Sequence, residues 1–126
     1  QEAERCIELW GSAEKAEELL SFCRPTMPVE HVILYNTKDL DANGTMEMMA
    51  EGKRVLSAIP GVREVFTGNV VQEDGNYQHC WVVRFTDRSV IDSYRVHPDH
   101  QHFADTHFRP YAADGRVSLD YEASSF

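Results

Sequence analysis

Hydrophobic and polar positions change period several times along the chain. In residues 1–28, Cys6, Trp10, Ala13, Leu20 and Cys23 recur at helical spacing, and glutamates fill the other positions. This predicts a helical extension, divided at Gly11-Ser12 and stopped by Pro25 and Pro28, that serves as a packing surface or a lid. From Val29 to Lys38, His31, Ile33 and Tyr35 alternate with Val32, Leu34 and Asn36, a strand covered on both faces. Asp39 to Gly44 reads as a loop, with Asn43-Gly44 as its turn. Thr45 to Ile59 reads as a helix with Met46, Met49, Leu56 and Ile59 on one stripe, flanked by Met48 and Val55 and stopped by Pro60-Gly61. Its thioethers suit core filling or an adaptable pocket.

Alternation returns from Val62 to Val71, and Glu73-Asp74-Gly75-Asn76 turns the chain into a third strand, Tyr77 to Phe85. Tyr77, His79, Trp81, Val83 and Phe85 share one face of it. Thr86 or Asp87 caps a helix that points Val90, Ile91 and Tyr94 inward, and Arg116 to Glu122 forms a last strand after the Ala112–Gly115 turn. The core order is β-α-β-β-α-β. This is an α+β, ferredoxin-like arrangement: a four-stranded antiparallel sheet with both crossover helices on one face. Its domains are a helical extension at 1–28, the α+β unit at 29–122 and a tail at 123–126. Because the strands are apolar on both sides, the face without helices needs a cover, and a homodimer packed sheet to sheet supplies one.

The densest chemistry lies in Tyr94-Arg95-Val96-His97-Pro98-Asp99-His100-Gln101-His102-Phe103. Proline suits the first helical position and not the interior, so a helix ends near Val96 and another begins at Pro98 with His97 as its N-cap. At helical spacing His100, Phe103, Ala104, His107, Phe108 and Tyr111 face inward, and His102, Asp105, Thr106 and Arg109 face out. Burial and the positive end of the helix both disfavour an imidazolium, so His100 should be neutral and able to accept a proton. A core histidine with one satisfied hydrogen bond is the plainer alternative.

Composition narrows the function classes. The 126 residues make one domain's worth, and a net charge of −9 with dispersed Lys and Arg disfavours nucleic acid and anionic membrane as partners. No apolar run approaches the roughly 20 residues needed to span a bilayer. Cys6, Cys23 and Cys80 lack CxxC spacing and read as free thiols of a cytoplasmic protein. No metal site is expected, because His97, His100, His102 and His107 do not converge at helical spacing.

The His31-Val32-Ile33-Leu34 opening, the Ile59-Pro60-Gly61-Val62 turn followed by Gly68, and the strand ending in Phe85 form one set of markers. With Tyr94-x-x-His97-Pro98-x-His100-x-x-Phe103 and the closing Asp120-Tyr121, they resemble the stress-responsive A/B barrel (Dabb) family of dimeric α+β barrels. The resemblance spans about residues 30 to 122. Many members have no assigned activity, and one fold hosts many activities. An enzymatic branch, of the olivetolic acid cyclase type, closes polyketides by aldol condensation without metal or cofactor. The resemblance to it implies a catalytic set of Tyr94, His100 and Asp120, with Asp120 orienting His100. It implies pocket positions at His31, Ile33, Tyr35, His79, Trp81 and Val83, beside His97 and Phe103 of the run. Trp81 and Tyr35 would flatten a cavity that holds an alkyl chain in that branch, which suits an aromatic substrate better.

The chemistry so implied is cofactor-independent acid/base catalysis of the cyclase, lyase or isomerase kind. His100 removes a proton beside a carbonyl while Tyr94 donates to the developing oxyanion. The rival is a non-catalytic dimeric stress-responsive or small-ligand-binding protein in which the same groups form a structural network. Haem-degrading enzymes share the architecture but resemble this chain less.

Overall fold

Asp41 decides where the first helix of the described residues begins. Its carboxylate accepts the Gly44 N–H at 2.7 Å, so Asn43 and Gly44 become the first turn of α1 (Ala42–Leu56) and not the loop turn expected of them. The helix accordingly starts and ends three residues before the expected bounds. This register leaves Met48 and Met49 buried and Met46 65% exposed, which removes Met46 from the inward stripe. The computed structural model describes residues 27–113 and 115–124, and the expected helices within residues 1–26 lie outside them.

The strands are β1 (Val29–Tyr35), β2 (Val62–Asn69), β3 (His79–Phe85) and β4 (Val117–Glu122), all antiparallel in the order β2-β3-β1-β4. Each is shorter than its hydrophobic pattern. Beyond β1 only an isolated bridge joins Thr37 to Ala112. Tyr77 precedes β3, and its hydroxyl donates to the Gly115 carbonyl at 2.8 Å. The β2–β3 connection is therefore longer than the expected tight turn.

Helices α2 (Val90–Arg95) and α3 (Pro98–Phe103) follow β3, and the chain continues through a π-helical segment, Ala104–Phe108. Asp87 accepts the backbone N–H of Ser89 at 2.8 Å in the turn that leads into α2. As the Pro98 pattern predicts, His97 is extended and its Nδ1 accepts the Asp99 N–H at 3.1 Å. The π segment, in which Arg109 N–H bonds Ala104 C=O, slows the rotation of the chain. Phe103, Ala104 and Phe108 stay buried, but His107 turns out to solvent, contrary to the simple helical reading.

The helices cover one side of the sheet. Val29, Tyr35, Val65, Trp81, Val83 and Phe85 are buried there with Leu56, Ile59, Val90, Tyr94, Phe103 and Phe108. Gly61, at φ +88, lets the loop after α1 close on Val90, whose Cγ2 lies 2.6 Å from where a Cβ would stand. The other side carries Val32, Leu34, Cys80, Val82 and Phe66, with Val117, Leu119 and Tyr121 on β4, and Leu119 is 60% exposed. A charged cluster interrupts it, where Glu30 accepts from Arg84 at 2.9 Å and from the Tyr121 hydroxyl. Hydrogen bonds from Tyr121 and Arg84 hold the Glu30 carboxyl below its ordinary range. Among the described residues, no helix is long and apolar enough to cross a membrane.

Candidate active site

The break between α2 and α3 brings Tyr94 and His100 together. Tyr94 sits on the last turn of α2 and His100 on the first turn of α3, and their rings meet at 4.4 Å between centroids. His100 Nδ1 lies 3.0 Å from the Arg95 carbonyl oxygen. A carbonyl only accepts, so Nδ1 carries the proton and Nε2 keeps its lone pair. Gln101 donates to the same oxygen at 2.5 Å. Burial pushes the His100 pKa below its ordinary 6.5; Arg109 and His31 add to this, while the Arg95 hydrogen bond and Asp105 oppose it. At neutral pH the imidazole is a neutral acceptor.

Tyr94 is 5% exposed. Burial, and secondarily the charge of Asp120, raises its phenol well above the ordinary value of 10, so it remains a donor throughout the physiological range. Its ring packs at 4.8 Å on Phe85 and at 6.0 Å on the His31 ring.

Asp120 does not orient His100. It accepts from His31 Nδ1 at 2.5 Å, because β1 and β4 pair in a register that sets these two residues directly opposite. The expected His100–Asp120 contact is thus replaced in two ways: a main-chain oxygen holds His100, and a cross-strand histidine holds Asp120. The carboxylate still reaches the site through its field at Tyr94.

Tyr94 and His100 open on a cavity of about 30 Å³, room for roughly one or two waters. Of the expected pocket positions, Ile33, Trp81, Val83 and Phe103 line it. His31, Tyr35, His79 and His97 do not. His31 is held against β4, and His97 is spent on the helix cap. His79 donates from Nδ1 to Asn69 Oδ1 at 2.9 Å, and burial lowers its pKa. Tyr35 is wholly buried between Trp81 and Phe108, and its hydroxyl has no partner among the described residues. Leu56, Ala104 and Phe108 complete the wall. Each lay on an inward stripe in the sequence, but no chemical signal set them apart from core. Among the described residues no group of three or more His, Cys, Asp or Glu side chains is placed to hold a metal ion.

Solved structures share this architecture. A dimeric ferredoxin-like protein of unknown function from Thermobifida fusca is 22% identical, with a TM-score of 0.67 over 78% of this chain and 92% of its own. Hydroxynitrile lyase from Passiflora edulis is 19% identical, with a TM-score of 0.68 over 81% and 99%. SnoaB, a cofactor-independent oxygenase from Streptomyces nogalater, is 13% identical, with a TM-score of 0.63 over 80% and 97%. The fold thus carries both enzymes and proteins without an assigned activity. Among curated proteins no relative matches the sequence. The profile of the stress-responsive A/B barrel domain matches residues 29–123, three quarters of the chain, and with the four-stranded ferredoxin-like sheet it places the protein in the Dabb family.

Proposed function

We propose that this protein is a cofactor-independent acid/base enzyme acting on a small carbonyl-bearing compound. The observation that carries the reading is the Arg95 carbonyl on His100 Nδ1, which leaves Nε2 as an unprotonated acceptor beside a cavity shared with a protonated phenol. His100 Nε2 takes the proton from the carbon next to the carbonyl. Tyr94 donates a hydrogen bond to the carbonyl oxygen as it becomes an enolate, and burial, helped by the charge of Asp120, keeps that phenol protonated. The enolate then serves aldol closure, the reverse cleavage or isomerisation.

Deuterium exchange at the α-carbon of a small ketone in D₂O, followed by proton NMR, tests the first step without a known substrate. Exchange should fall about 10²- to 10⁴-fold in His100→Gln, the range for loss of a placed general base. Equal exchange in wild type and His100→Gln would leave a non-catalytic, small-ligand-binding protein as the reading. The exposed apolar side of the sheet supports a homodimer in either case, formed sheet to sheet with a second copy of the chain.

A further inference from the structure

Trp81 and Phe103 wall the cavity beside Tyr94 and His100, and both reach a place on α1 that only glycine leaves free. A Cβ on Gly52 would stand 2.4 Å from Trp81 Cη2 and 2.6 Å from Phe103 Cζ. The two rings meet edge to face at 5.9 Å, and Tyr35 stacks on the indole at 6.4 Å. Trp81 is therefore wedged, with 2% of its surface exposed, and the space beside it is the small cavity that it walls.

We propose that Gly52 and Trp81 form a size filter that admits to His100 and Tyr94 only carbonyl compounds of a few heavy atoms and excludes aryl ketones. The inference rests on the acid/base reading for the ligand's carbonyl. The filter itself follows from packing. Gly52 provides the recess, Trp81 occupies it, and about 30 Å³ remains next to the reactive pair. The aromatic or polyketide-like substrate implied by the family resemblance needs more space than this. A smaller side chain at position 81 joins the indole's volume to the cavity. A larger one at position 52 drives both rings toward His100.

The test follows occupancy and not turnover. Acetone and acetophenone are titrated separately into protein with ¹⁵N-labelled histidine, and the ring nitrogen shifts of His100 are read. In wild type, acetone moves the His100 resonances and acetophenone does not. Trp81→Leu binds acetophenone at least about tenfold more tightly than wild type does, in line with the roughly 10- to 200-fold worth of a methylene-sized change in a fitted pocket. Trp81→Phe, which keeps an aromatic core, moves the same way by less and serves if the leucine variant does not fold. Gly52→Ala weakens the acetone response by about tenfold.

Acetophenone binding in wild type as strong as in the Trp81 variants would overturn the filter. So would acetone binding unchanged in folded Gly52→Ala, or a failure of both ketones to bind any of these proteins. If occupancy follows the filter while α-proton exchange is the same with and without His100, the acid/base reading falls and the filter stands.

Discussion

His100 is half-buried near charges of both signs, and its lowered pKa ties the proton acceptor to stability. Below pH 6.5 an unfolded His100 takes up a proton that the folded protein refuses. Stability therefore falls as pH drops through 6.5 and levels off once the folded pKa is passed. His100→Gln should flatten that part of a plot of Tm against pH. The exchange reaction should follow the same group, with a plateau above pH 6.5 and an acid limb displaced below it. Asp120 separates two ideas about orientation. Asp120→Asn should lower the Tyr94 pKa, read from its ¹³Cζ shift, and leave the acid limb of exchange where it was, because a backbone oxygen holds His100. A shifted limb would restore the carboxylate as the orienting group. Tyr94 and His100 were legible in the sequence because proline and helical spacing fix their relation within one short run. The partner of Asp120 was not, since it lies 89 residues away and depends on a strand register that local pattern does not encode.

Capping decided the helix boundaries, and it decided them differently at two helices. At α3 the His97-Pro98 pair was readable from residue type, and Pro98 stands at the first position as expected. At α1 Asp41 outcompeted a turn signal that is strong in isolation, because its carboxylate satisfied a helix N–H that the turn would have left free. His97→Ala should destabilise the protein by about 1 kcal/mol in urea unfolding, and His97→Asn should recover most of this. The alanine variant should also alter the His100 ring shifts, since α3 carries that side chain. The π-helical segment could not be read, because one extra residue in a turn leaves no mark in hydrophobic period. Its effect is visible only at His107, which faces solvent while Phe108 keeps the core position.

At the scale of the molecule, the sheet separates two jobs. The helix side holds the cavity. The other side bears Phe66, Val117, Leu119 and Tyr121, more exposed apolar surface than isolated residues would give. Leu119→Lys should leave the fold intact and shift light-scattering mass from dimer toward monomer, and an unchanged mass would sink the sheet-to-sheet arrangement. That both faces need a cover was plain from the doubly apolar strands, while the small size of the cavity was not, since it comes from ring packing over Gly52. Because side chains alternate along a strand, adjacent codons of β1 answer to different demands. His31 and Ile33 look toward the chemistry, and Val32 and Leu34 look away from it. Among chains descended from a common ancestor, substitutions here should drift in two interleaved sets, one following the ligand and the other the neighbour.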